Sequence, residues 1–305
     1  MRILKTLFLS GLLQFAFNSW AQNTVTDSTA TVVSYWYKND ITNLQLTKTK
    51  EKYEDGQLIS TNSSKTLIEV KVLNASKDSY TIEWKYKQIS VPLQDQNPMV
   101  LKLLKLSEGL EVVFKTDELG TFIELVNWKS IQKFINKSID EMAKSINSTE
   151  FESALKKVKS IYSTRESIEN IAIKDIQLYH SLYGGEYKLN EELSFQSLLP
   201  NVLGGEPFPS LFKLKMTELR PDSNYCKIET TQEIDGQKLS KEINKWVENV
   251  SDGESKNSKK PKLNLEDFSE FEIDLLTGWL TLARNQRVVV SENIKVVEIL
   301  ELKKF

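Results

Sequence analysis

The chain has 305 residues, with 40 Lys+Arg against 42 Asp+Glu, one His and one Cys, and a formal net charge of −2. Its 40% hydrophobic, 27% charged and 10% aromatic content is that of a folded domain and argues against disordered, collagen-like and coiled-coil chains. One Cys excludes an intrachain disulfide and a multi-Cys zinc site, one His leaves catalytic triads and multi-His metal sites only through that residue, and near-neutral charge argues against nucleic-acid binding.

Residues 1–21 read MRILKTLFLSGLLQFAFNSWA. Arg2 and Lys5 form a positive start, and Leu7 to Phe17 is apolar but too short for a bilayer core of ~30 Å. Ser19-Trp20-Ala21 places small residues where a signal peptidase reads, so residues 1–21 are expected to be a signal peptide cut before Gln22. No Cys follows the apolar stretch, which excludes a lipoprotein box, and no later segment is apolar enough to span a membrane. The polar stretch 22–29 is expected to be a flexible tether to one domain, 30–305. An exported, Lys/Asn/Ile-rich chain with one thiol, cut at Ala21-Gln22, resembles in style the envelope proteins of the Bacteroidota. That resemblance implies a periplasmic or extracellular, envelope-associated location.

Residues 30–126 are expected to form a first β half. Tyr80, Ile82, Trp84 and Tyr86 alternate with Thr81, Glu83, Lys85 and Lys87, and Ile68, Val70 and Val72 alternate with Glu69 and Lys71. Asp55-Gly56 predicts a hairpin turn, and a second hairpin is expected around Leu119-Gly120. One buried and one wet face per strand implies an antiparallel sheet. A short helix is expected within 98–106.

Residues 127–183 change period and are expected to form a three-helix insertion. Trp128, Ile131, Ile135, Ile139, Met142 and Ile146 recur at helical spacing, with lysines between them. Thr149 with Glu152 and Ser163 with Glu166 predict the starts of a second and third helix, the third ending at Gly184-Gly185. Residues 184–305 return to period two. Asp235-Gly236 predicts another hairpin turn, Ser251 to Lys260 a polar loop, and Thr277-Gly278 a turn before the last strands. Short matches between the halves, around Asp55-Gly56 and Asp235-Gly236, leave an internal repeat and chance recurrence both open.

The chemistry is sparse. His180 has no nucleophile motif to serve and is expected to be a partly exposed helix cap. Cys226 shares its strand face with Ile228 and is expected to be a buried, inert thiol. Asp117-Glu118, Glu191-Glu192 and Glu266-Asp267 are adjacent pairs, which point to opposite faces of a strand and are expected to be solvated edges. No catalytic set, metal site or cofactor is expected. Two features stand out as ligand-contact candidates. Residues 200–209 hold three prolines and two glycines beside apolar side chains, so Leu203, Glu206 and Phe208 could line a mouth. The aromatic stripe through Trp84 and Tyr86 could stack on a ligand, although the same pattern marks a core face.

The expected architecture is α+β: a large curved antiparallel sheet, open like a half-barrel, around the helical insertion. In layout this resembles the lipoprotein-carrier class of periplasmic proteins, which implies an open sheet holding apolar cargo against helices. The expected function is a non-enzymatic exported protein that binds a lipid or other apolar or amphipathic ligand, or a protein partner, between sheet and helices. The alternatives are an envelope-polymer hydrolase using carboxylates, which convergence of two acids in a pocket would favour, and a structural or assembly protein.

Overall fold

The computed structural model describes residues 25–92, 101–102, 104–143, 149–169, 173–199, 208–234, 236–240 and 263–305. The expected signal peptide, Leu203, Glu206 and the polar loop at 251–260 lie outside these residues.

The protein is mainly β. The strands are β1 (Thr29–Thr31), β2 (Ile41–Glu54), β3 (Gln57–Ala75), β4 (Ser79–Ser90), β5 (Glu111–Asp117), β6 (Phe122–Leu125), β7 (Glu186–Lys188), β8 (Glu192–Leu199), β9 (Phe208–Arg220), β10 (Tyr225–Ile234), β11 (Leu263–Asp274), β12 (Trp279–Ser291) and β13 (Ile294–Lys304). Eleven form one antiparallel sheet in the order β6-β5-β4-β3-β2-β13-β12-β11-β10-β9-β8, while β1 and β7 pair separately. Two meanders therefore run outward from a central seam, where β2 pairs with β13. The seam joins the start of the sheet to its end, and nothing local in the sequence signals it.

Alternation sets which face is buried. Ile82, Trp84 and Tyr86 face the core with Ile68, Val70 and Val72, as the period of two predicts. Asp55 and Gly56 both take positive φ in the β2–β3 turn, the backbone a two-residue hairpin needs. Of the expected Asp235-Gly236 hairpin, residue 235 lies outside the described residues, and Gly236 opens a helical turn over 236–240. Gly236 does not take positive φ, and a Cβ there would sit 2.7 Å from the Leu263 carbonyl oxygen. Its smallness serves this close approach, which Ser240 secures by accepting the Leu263 N–H at 2.8 Å. Gly56 and Gly236 thus sit in different local structures.

Between β6 and β7 run α1 (Trp128–Ala143), α2 (Thr149–Ile161) and two short helices, α3 (Arg165–Ser167) and α4 (Lys174–Tyr179). In α1, Ile131, Ile135 and Ile139 are buried in the same core as Trp84, with Trp128 and Met142 partly buried beside them. The expected third helix is not continuous. Thr164, one residue past the predicted Ser163, accepts the Ser167 N–H at 3.0 Å, but after α3 and a wider helical turn at 168–169 the next described residue, Ile173, has left helical angles (φ −111°, ψ 31°). Ile168 and Ile173 are both buried, yet five residues at about 100° each would put them on different sides of one straight helix. Breaking the helix lets both reach the core. The second short helix ends at His180, and the Gly184-Gly185 backbone instead pairs with Val32.

The segment 32–36 crosses one end of the sheet. Ser34 N–H bonds to Leu119 at the β5–β6 turn, and Gly278 at the β11–β12 turn approaches so closely that a Cβ would lie 2.2 Å from the Val33 carbonyl oxygen. Tyr183 touches both turns: its ring lies against Gly120, and its hydroxyl donates to the Gly278 carbonyl at 2.5 Å. Trp36 stacks on Trp279 with 4.4 Å between centroids. Aromatic rings and the α1 isoleucines thus fill this end of the helix-bearing face.

Candidate functional site

The same face changes character along its strands. Four cross-strand rows, two residues apart and so about 7 Å apart, run over β11, β12, β13 and β2. The first, Phe271–Ala283–Leu302–Leu46, is buried core. The second is Ser269–Asn285–Leu300–Lys48, in which Asn285 donates to the Ser269 hydroxyl at 3.0 Å. The third is Asp267–Arg287–Glu298–Lys50, which alternates in sign across four strands. The fourth, Leu265–Val289–Val296–Lys52, is half-exposed. We call the second to fourth rows the floor.

The charged row is well made. Arg287 donates to both oxygens of Asp267, at 2.8 and 2.6 Å, and Lys50 pairs with Glu298 at 2.7 Å. Asp267 is only 8% exposed, so its charge needs such a partner. This corrects the expectation that Glu266-Asp267 is a solvated edge: Glu266 is exposed, but Asp267 turns inward and is buried. Lys174, at the start of α4, has its ammonium pushed below the usual lysine value, first by desolvation and then by the Arg287 cation, against the opposing pull of Asp267 and Glu298.

Where the floor meets the helices, a cavity of about 80 Å³ is lined by Lys48, Tyr86, Ser107, Tyr162 and Asp175 among apolar side chains. Asp175 is 2% exposed, and the Tyr86 hydroxyl donates to its Oδ2 at 2.7 Å. Burial, and then the Asp175 carboxylate, push the Tyr86 phenol well above its ordinary value; the same causes push Tyr162 up to about 12. Both tyrosines thus stay neutral, and Tyr86 is the one that donates to Asp175. Beyond the floor, Phe208 packs with Ile234 and Leu239, and against Leu263 and Leu265. A second concavity of about 160 Å³ lies by the sheet edge, lined by Tyr187, Leu193, Leu214 and Met216 among others; nearby Phe195, 53% exposed, contacts Phe212.

The sequence candidates are dispersed. Trp84 is wholly buried, edge-on to Tyr179, with no face open to a ligand. Tyr86 lines the small cavity, and Phe208 sits in the cluster at the far side of the floor. His180 does end a helix but is buried, against the expectation of a partly exposed cap. Its Nδ1–H donates to the Gly120 carbonyl at 2.8 Å, Nε2 has no partner, and desolvation lowers its pKa to about 4. Cys226 is fully buried, which pushes its thiol up to about 12. Lys48, Arg287, Glu298 and Val296 escaped notice in the sequence; the one local signal was the Lys48, Lys50, Lys52 alternation. Among the described residues, no group of three or more His, Cys, Asp or Glu could hold a metal ion, and no helix is long and apolar enough to cross a membrane.

No family model matches the chain, and no curated protein matches it. Among solved structures, it is similar to lipovitellin, in a structure concerned with lipid–protein interactions, at 9% identity and a TM-score of 0.45, over 88% of this chain and 25% of that one. It is also similar to DynF from the dynemicin biosynthesis pathway of Micromonospora chersina, at 6% identity and a TM-score of 0.19, over 91% and 85% of the two chains. The chain spans a quarter of the length of the lipovitellin chain it matches. At these scores neither likeness bears on what the chain does.

Proposed function

We propose that this is a non-enzymatic, exported envelope protein whose sheet acts as an open half-barrel and holds an amphipathic ligand on the floor. The observation that carries the reading is the half-exposed row Leu265–Val289–Val296, set one step beyond a cross-strand ion row on the face that is otherwise core. Apolar side chains on that face, left partly wet, have a use if something apolar covers them. Curvature is supported by Tyr183. The β5 and β12 strands are five places apart in the sheet, about 24 Å if it were flat, yet one tyrosine touches the turns of both. The hydrolase alternative needs two carboxylates across a cleft, one free to give a proton. Asp267 and Glu298 share a face, but each is engaged by a cation, and Asp175 faces tyrosines; this arrangement favours binding.

Titrating the native protein with a fluorescent acyl-chain probe tests the reading. Binding should fall at least tenfold in Val289→Glu/Val296→Glu while the melting temperature holds. Equal binding by both proteins, or none by either, contradicts it. Export is tested separately by N-terminal sequencing of the envelope fraction, which should begin at Gln22; retained Met1 contradicts it.

A further inference from the structure

We propose that the polar end of the ligand is anionic and docks between Lys48 and Lys174, beside Arg287 and over Leu300; this rests on the floor being the binding surface.

The charges argue for it. Lys50 and Arg287 each have an acid in the charged row. Lys48 and Lys174 have none: no carboxylate of the described residues makes an ion pair or hydrogen bond with either ammonium. Lys48 is fixed on the floor by its register opposite Leu300, one step from Glu298–Lys50, and it also lines the small cavity. Ile173 and Asp175, on either side of Lys174, line that same cavity, so Lys174 leaves the chain beside it, above the Arg287–Glu298 row next to Lys48. Lys174 also lies close enough to Arg287 for the two cations to repel, and its ammonium is partly desolvated. Around this spot Lys48, Lys50, Lys174 and Arg287 face Asp175, Asp267 and Glu298, four cations to three acids, and Lys48 and Lys174 carry the positive excess without an acid bonded to them. An anion placed between them relieves that repulsion. The apolar row Leu265–Val289–Val296 begins about 14 Å further along the strands, two register steps from Lys48. That spacing suits a charged head with an acyl or similar apolar chain attached.

The same chemistry would hold a free anion, so the test separates the two. Dodecyl phosphate, dodecyl maltoside and inorganic phosphate are titrated below the micellar range by calorimetry. They are added to the full chain, to Lys48→Gln/Lys174→Gln and to Lys48→Arg/Lys174→Arg. Both lysines are exposed, so the variants should keep the native melting temperature, checked by circular dichroism. The expected result is dodecyl phosphate binding at least tenfold tighter than the maltoside. This preference should be lost in the Gln variant, kept in the Arg variant, and reduced by 0.5 M salt, roughly as screening at a Debye length of a few ångström requires. Equal affinity for the two amphiphiles, unchanged in the Gln variant, overturns the anionic head while leaving the floor as an apolar binding surface. Inorganic phosphate binding as tightly as dodecyl phosphate overturns it in favour of a free-anion site. No binding of either amphiphile overturns both this inference and the reading it rests on.

Discussion

Strand β12 passes through two environments on one face. Ala283 is fully buried at the helix-covered end, whereas Val289, six residues on, is half-exposed on the floor. Likewise on β2, Leu44 and Leu46 are buried and Lys48, Lys50 and Lys52 follow at the same parity. From the Phe271–Ala283 row to the Leu265–Val289 row the hydrogen-bonded register is unbroken; what changes is what lies over the strands. At one end α1, α4 and the 32–36 segment supply Ile131, Ile135, Tyr179 and Trp36 as cover. On the floor the strands carry their own compensation, an ion row and polar side chains. A regular sheet can thus be buried core along half its length and half-exposed along the rest.

Four substitutions or titrations break or sharpen that contrast, in falling order of effect. Trp84→Ala, in the filled end, should destabilise by about 3–5 kcal/mol in urea unfolding, as for a fully buried aromatic. A loss below about 1 kcal/mol would mean that this end is not packed as described. Second is pH. Unfolded, His180 takes a proton near its ordinary 6.5; folded, only near 4. Because the unfolded chain binds the proton first, stability falls as pH drops through that window, by about 3 kcal/mol from this residue. His180→Phe should flatten the slope of stability against pH between 7 and 4, whatever its effect at neutral pH; an unchanged slope would show that His180 is not held neutral. Third, Gly278→Ala should lose more than about 1 kcal/mol, since φ is +70° and the added Cβ meets the Val33 carbonyl. A neutral result would detach the 32–36 segment from the filled end. Last, Val296→Thr on the floor should change stability by no more than about 0.5 kcal/mol, as at a surface, while weakening amphiphile binding. A loss of several kcal/mol there would make the floor a second core.

Much of the sheet was legible because alternation is local. The faces of β3, β4 and β10, the Asp55-Gly56 turn and the α1 stripe follow from neighbours within a few residues. The broken third helix was not, because Ile168 and Ile173 are each compatible with a helix and only their joint burial rules one out. Asp235-Gly236 misled because the pair marks a tight backbone without saying which kind. The floor was hidden by distance. Lys50 and Glu298 are 248 residues apart in sequence and meet only through the β2–β13 seam, and Asp267 reveals its buried side only once β11 and β12 are in register.

The most direct test of the account is to place an acyl chain on the protein and see where it lies. A fatty acid carrying a diazirine along its chain, photolysed with the native protein and mapped by peptide mass spectrometry, should label 263–267 and 287–300, with Leu265, Val289, Val296 and Leu300 foremost. Labelling confined to the α1–α2 surface at 128–161, or no labelling above a denatured control, would contradict the floor as the binding surface.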